Sequence, residues 1–313
     1  MQCIPKDVIL EHHPDTMSTM RKEYNLHKPG MMENSIRILR DWVQEQKHFK
    51  KKDFGDVYLE TLIMCNKGSL ERSKKALDRM CTLRTLLPQF FEVHNPKTDL
   101  ENLFDIATPV ILPKLTPDHY RVYIVKVGEN IHLLKNFMNY FAYLIMVGDY
   151  LKIHDYCRGF IIIVDFTEMN VMDFLANVNP VQIRQVLTIL IEGYGMRIKG
   201  LHIYSSSKMI DTFVKLLKQF VSSKVAGRIH SYKTLENLTD IVPADILPEE
   251  YGGKEISLKA LLDKWLEVLS SEEYLNYLKD LSEAGTNEEL RQADDFNVEY
   301  AGMAGTFRVL TVD

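Results

Sequence analysis

Two sets of polar residues stand where an α/β protein places its chemistry. Asp165 follows the apolar run Phe160 to Val164, and a carboxylate just past a buried strand lies at the sheet edge where such proteins contact ligands. Its other role is to cap the loop Asp165-Phe166-Thr167-Glu168. Ser205-Ser206-Ser207 ends the next apolar segment and opens a helix, a place where hydroxyls and free backbone N–H groups either hold an anion or act as plain N-caps. The partners that would make either set catalytic are missing. No glycines follow Phe160–Val164 to let backbone approach a pyrophosphate, and the chain has no G-x-x-x-x-G-K-S/T and no G-x-S-x-G. Gly252-Gly253-Lys254 and Gly302 to Gly305 read as turns. His12-His13 has no third ligand nearby, so no metal site is expected. Cys3, Cys65, Cys81 and Cys157 lie far apart, without a disulfide framework or a C-x-x-C pair, and are expected to be reduced thiols. No catalytic residue, cofactor or metal is expected, and an enzyme is not.

The most informative element is basic and amphipathic. From Lys208 to about Arg228, Ile210, Phe213, Val214, Leu217, Phe220 and Val221 share one face of a helix, while Asp211, Lys215, Lys218 and Ser222 occupy the other. Such a helix covers a sheet from the surface, or it lies on a membrane with its cations among the headgroups. The formal net charge of -5 argues against general nucleic-acid binding. Between Met196 and Lys233, however, eight basic residues face one acid, Asp211.

The elements that must position these residues follow from hydrophobic period. Ile36, Leu39, Trp42 and Val43 repeat at helical spacing, as do Leu59, Leu62 and Ile63 before Asn66-Lys67-Gly68. Ser69 is the N-cap of a third helix through Leu70, Leu77, Met80 and Cys81 toward Pro88. Residues 1–93 form a helical domain on this reading, and the proline-bearing stretch 94–117 is a connector. Strands are expected at Tyr120–Val127, Phe160–Val164 and Leu201–Tyr204, with helices through Leu134, Phe137, Met138, Phe141, Leu144 and Ile145 and through Ile183, Val186, Leu187 and Leu190. Strands apolar on both faces that alternate with helices predict an α/β domain over 118–253 with a buried, largely parallel or mixed sheet. Residues 254–313 supply helices around Leu258–Leu269 and Tyr274–Leu281 and a tail closing in Phe307-Arg308-Val309-Leu310. Met1 to Asp15 lacks the apolar core of a secretory signal, and no run reaches the roughly 18 apolar residues of a membrane span. A cytoplasmic chain is expected.

Three segments carry a resemblance to a known family. Ile198-Lys199-Gly200-Leu201-His202-Ile203, Lys224-Val225-Ala226-Gly227-Arg228-Ile229-His230 and Ile246-Leu247-Pro248-Glu249-Glu250-Tyr251-Gly252-Gly253 together resemble the CRAL-TRIO lipid-binding domain. Ser69 to Arg72 and Thr82 to Pro88 resemble the N-terminal helical domain of its insect-type branch. The resemblance implies a non-enzymatic carrier that transfers one hydrophobic small molecule, such as a tocopherol, retinoid, carotenoid or similar isoprenoid, between membranes. It further implies a sheet floor closed by a mobile gate helix carrying Ile210, Phe213, Leu217 and Phe220. Ligand contacts would come from Phe137, Phe141, Ile161, Ile163, Val186, Ile189, Leu190, Tyr194, Met196, Ile198, Leu201, Phe213 and Leu217, each of which is equally read as ordinary core. Arg197, Lys199, Lys224 and Arg228 fall where family members hold phosphoinositide headgroups, so reversible docking on anionic membranes is implied. The alternative function is a phosphoinositide-reading recruitment module without a transported ligand. The chain departs from the family where an R-x-R pair reads Met64-Cys65-Asn66, where Glu168 replaces a glycine, and where Ser206-Ser207-Lys208 replaces Asn-x-Pro.

Overall fold

Runs of β-branched residues form the centre of the molecule. The computed structural model describes residues 4–133 and 137–291. Its sheet has five strands in the order β1 (Ala107–Ile111), β2 (Arg121–Val127), β3 (Phe160–Asp165), β4 (Ile198–Tyr204) and β5 (Ile229–Tyr232). β1 pairs with β2 antiparallel, and the remaining pairs are parallel. The fold is therefore α/β with a mixed, largely parallel sheet.

The N-terminal part is built on α1 (Thr16–Glu23), α2 (Met31–Glu45), α3 (Asp56–Cys65) and α4 (Leu70–Leu86). α3 stops where Gly68 takes a φ of 73° and its N–H reaches back to the Ile63 carbonyl at 2.9 Å, a conformation that glycine adopts without a Cβ penalty. The Ser69 hydroxyl then accepts from the Arg72 N–H and starts α4. These helices enclose their own core around Met20, Met32, Leu39, Leu59, Leu62, Ile63 and Leu77.

The connector expected over 94–117 is structured. Asn95 caps the one-turn helix α5 (Pro96–Asp99), α6 (Glu101–Phe104) follows, and β1 comes next. Pro96 and Pro109 read as breakers, yet proline suits the first turn of a helix, and on an edge strand its missing N–H breaks no ladder.

The parallel strands are joined by α7 (Met138–His154), by α8 (Val171–Asn177) with α9 (Pro180–Thr188), and by α10 (Ile210–Gln219) with α11 (Ser223–Ala226). Each crossover steps to the next strand in the same direction, so right-handed connections place all these helices on one sheet face. The single helix expected from Lys208 to Arg228 is two. The backbone breaks at Ser222 (ψ 155°), whose hydroxyl accepts from the Val225 N–H and begins α11. α12 (Leu238–Ile241), α13 (Leu258–Leu269) and α14 (Glu272–Ser282) complete the order, and Trp265 of α13 donates its indole N–H to the Ile111 carbonyl of β1 at 2.9 Å. The short α1 and the polar four-residue β5 were not expected from hydrophobic period. Cys3, Leu134 and the Phe307–Leu310 segment lie outside the described residues.

Charged side chains join the helical part to the sheet part. Arg84 of α4 donates to both Asp149 oxygens of α7 at 2.7 and 2.9 Å. The N-terminal segment adds a second junction, because Asp155 accepts from Arg121 of β2 at 2.6 and 3.0 Å and bonds the His12 ring at 2.9 Å. Burial alone would raise the Asp155 pKa, but the Arg121 charge and the His12 contact hold it well below the usual carboxylate range.

Candidate functional site

Between the sheet and its crossover helices lies a cavity of about 220 Å³. Strand register decides which residues face it. Tyr123 stands beside Ile162 and Leu201, and Val125 beside Val164 and Ile203; all six line the cavity, together with Phe160, Ala107 and Ile111. α7 contributes Tyr140, Phe141, Leu144, Val147, Gly148 and Leu151, α8 contributes Phe174, α9 contributes Ile183, Val186 and Leu187, and α10 contributes Phe213 and Leu217. Among the described residues, the polar side chains of the lining are Tyr123 and Tyr140, whose hydroxyls bond each other at 2.9 Å. Burial pushes the Tyr140 phenol up to about 12 and that of Tyr123 well above its ordinary value. With this pair satisfied, the wall offers shape and apolar surface.

Of the thirteen residues expected to touch a ligand, Phe137, Phe141, Val186, Leu190, Met196, Leu201, Phe213 and Leu217 stand on this wall. Ile161 and Ile163 do not, since residues alternate along a strand and these two point with Val122 and Ile124 to the opposite, buried face. The run Phe160–Val164 is apolar at every position, so its period carries no phase. Ile198 is buried outside the lining, before the bulge that shifts register between Phe160 and Ile161. Ile189 opens a π-helical turn, Ile189–Gly193, that packs against α4, and the extra residue of such a turn rotates the face presented to the cavity. Tyr194 follows this turn, and its hydroxyl donates to Asp149 at 2.6 Å, not into the cavity.

α10 closes one side of the cavity through an aromatic cluster. Phe213 meets the Phe174 ring edge to face at 4.9 Å and lies 6.0 Å from Phe166, and Phe174 meets Phe137 at 5.5 Å. Of the four residues assigned to the gate, Phe213 and Leu217 reach the cavity. Ile210 is buried beside it, and Phe220 is half-buried past the end of the helix. Lys215 and Lys218 face solvent.

The four cations gather where β4 and β5 begin. Lys199 and Lys224 are exposed, with Lys199 lying 5.3 Å from the Tyr120 ring centroid. Arg197 and Arg228 are partly buried and internally engaged: Arg197 donates to the Tyr24 hydroxyl and to the Cys157 carbonyl, and Arg228 to the Ile198 carbonyl. The remaining polar residues serve the backbone. Asp165 accepts from the Thr167 N–H at 3.0 Å and from the Tyr251 hydroxyl at 3.0 Å, which is loop capping. Ser205 and Ser207 accept from the N–H groups of Ser207 and Met209. His12 belongs to the Asp155 junction and His13 contacts the Thr116 carbonyl at 3.1 Å. No cluster of metal-ligating side chains occurs among the described residues.

β2 supplies cavity residues that period did not assign, because Tyr120–Val127 is apolar nearly throughout; the signal available was parallel register with β3. The comparisons with known proteins bear on the same segments. A family model for the CRAL/TRIO domain matches residues 108–253, and one described as a Pinta-like UBA domain matches residues 28–100. Proteins named alpha-tocopherol transfer protein-like from Mus musculus and Homo sapiens are each 22% identical over 244 residues, covering 76% of this chain and 70% of theirs. The solved structure of Sfh5 superposes with a TM-score of 0.50 at 13% identity, covering 87% of this chain and 98% of that one. That likeness concerns the fold alone. Sheet order, crossover helices and matched segments agree: residues 108–253 match a CRAL/TRIO domain, preceded at residues 28–100 by a match to a Pinta-like UBA domain.

Proposed function

We propose that this protein carries one hydrophobic small molecule, a tocopherol, retinoid, carotenoid or similar isoprenoid, and unloads it at anionic membranes. The observation that carries this reading is the cavity, where, among the described residues, the polar groups of the lining are spent on each other and the remaining side chains are apolar. A ligand burying on the order of 400 Å² of apolar surface there gains roughly 10 kcal/mol over water. Escape into solvent is correspondingly slow, and a bilayer removes that penalty. The placement of α10 supports a gate, since Phe213 and Leu217 line the cavity while Lys215 and Lys218 face outward. When the apolar stripe swings into a bilayer interface, such lysines stay with the headgroups. Met172 of α8, Val181 of α9 and Met209 ahead of α10 are exposed apolar side chains on the same closing elements, which favours contact with lipid.

Mass spectrometry of organic extracts from the purified protein is expected to find one apolar molecule per chain, or the protein is expected to take up one such molecule from loaded vesicles. Failure of both rejects the carrier reading. Membrane docking is tested separately at Lys199 and Lys224, the two exposed members of the four. Each basic group near an anionic surface contributes about 1 kcal/mol, so Lys199→Glu with Lys224→Glu is expected to weaken binding to phosphatidylserine vesicles at least ten-fold while leaving the ligand in place. Binding equal in low and high salt would exclude this mode of docking, because exposed charges are screened within a Debye length.

A further inference from the structure

Next to the large cavity lies a second of about 50 Å³, between α1, α3 and the end of α7. The two share Gly148, Leu151, Phe160, Leu190 and Met196 as walls. The partition is thin, since Gly148 contributes no side chain and Met196 is flexible. The small cavity is polar where the large one is not. Most of its polar groups are taken: Thr61 bonds the carbonyls of Tyr58 and Lys152, Asp155 is held by Arg121 and His12, Arg197 by Tyr24 and Cys157, and Tyr194 by Asp149.

Two lining residues differ. The Lys152 ammonium and the Tyr156 hydroxyl are buried with no hydrogen-bond partner among the described residues. Lys152 is 4% exposed and Tyr156 2%. Lys152 lies on α7 with Gly148 and Leu151, Asp155 caps the end of that helix, and Tyr156 follows four residues after Lys152, all lining this cavity. A buried donor without an acceptor is costly, and a buried cation without one more so. The carboxylate facing the same space, Asp155, is already consumed. What the pair lacks is an acceptor carrying one negative charge and offering two oxygens to two donors, which describes a carboxylate. A phosphomonoester would bring a second charge and more bulk to a small space with a single uncommitted cation.

We propose that the transported molecule is an apolar acid, its hydrocarbon body in the large cavity and its carboxylate in the small one on Lys152 and Tyr156. This rests on the carrier reading and narrows it to a ligand class. The test uses the full chain and two sets of probes that share a body and differ in the head: retinoic acid, retinol and methyl retinoate, and oleic acid, oleyl alcohol and methyl oleate. In the body that fits, the acid is expected to bind at least ten-fold tighter than its methyl ester. Lys152→Met should reduce acid binding about ten-fold and ester binding far less, with Tyr156→Phe giving a smaller loss of the same kind. Acetate at millimolar concentration should not displace the acid; displacement would show a free-anion site unconnected to the large cavity and overturn the proposal. Equal binding of acid and ester by the unmodified protein would overturn it while leaving the carrier reading intact. Binding of none of the six would overturn this proposal, while the carrier reading is decided separately by the organic extract and by uptake from loaded vesicles.

Discussion

The large cavity and the junction between the helical and sheet parts are built on opposite rules. Around the cavity, contacts are apolar and non-directional, and an aromatic cluster of Phe137, Phe166, Phe174 and Phe213 closes one wall. At the junction, contacts are charged, buried and directional: Arg84 with Asp149 and Tyr194, and Arg121 with Asp155 and His12. Apolar walls slide and repack at modest cost, whereas removing one partner from a buried ion pair strands the other. The difference teaches where the molecule is able to yield. On the proposed gate reading, α10 is the element that swings from the cavity while α4, α7 and β2 stay in register.

Breaking the junction should therefore have the largest effect. Asp149 accepts from Arg84 at 2.7 Å and from Tyr194 at 2.6 Å and is buried. Asp149→Ala leaves a buried guanidinium unpaired and is expected to cost about 3–5 kcal/mol, read as a lower urea midpoint. Replacing the pair together, Arg84→Met with Asp149→Leu, should cost far less. Equal losses in the single and double variants would mean that the pair acts only by packing.

Filling the cavity should do the reverse, removing function while sparing stability. Leu190 lies on the wall shared by both cavities, and Leu190→Trp adds bulk where there is space to receive it. Loading is expected to fall at least ten-fold, with a stability change under about 2 kcal/mol. Undiminished ligand stoichiometry in this variant would place the ligand elsewhere.

The same contrast explains how much was legible in the sequence. Ser69 as a cap, the α13 and α14 helices and the three central strands could be read because period and caps are local signals. The wall could be read on helices, where Phe137, Phe141, Val186 and Leu190 carry a phase. It could not be read on β3, where a run apolar at every position hides which of Ile161 and Ile162 faces inward. The break at Ser222 was masked because Phe220 and Val221 continue the apolar stripe. The junction was least legible of all: Arg84 with Asp149 and His12 with Asp155 join residues 65 and 143 positions apart, and nothing local marks such pairs.

A smaller effect is expected at the closing wall. Phe174→Leu keeps most of the volume but removes the edge-to-face contacts with Phe213 and Phe137. Such aromatic pairs contribute about 1 kcal/mol, so ligand transfer to vesicles should accelerate roughly five-fold. An unchanged rate would mean that α10 is a fixed lid and the ligand leaves by another route.

The smallest effect belongs to the N-terminal segment, which ties to α7 through a carboxylate. Asp7 accepts from the N–H groups of Ile9 and Leu10 at 2.8 and 2.7 Å, from the Tyr150 hydroxyl at 2.7 Å, and pairs with the His154 ring at 3.0 Å. Burial alone would raise its pKa, but the bonds from His154, Leu10, Ile9 and Tyr150 outweigh it and hold the group at about 2. An unfolded aspartate titrates near 3.9. Because the folded value is the lower one, the ionised form favours folding; the contribution is complete above about pH 4 and is lost as pH falls toward 2. Asp7→Asn should therefore lower the urea midpoint slightly at neutral pH, and the gap to the unmodified protein should close between about pH 4 and pH 2. The titration of Asp155 is common to both proteins and drops out of the difference. Amide exchange should locate the loss at Ile9 and Leu10, the buried residues that this carboxylate anchors. A gap that stayed constant across that window would show that the segment is held by the apolar contacts of Ile9 and Leu10, not by charge.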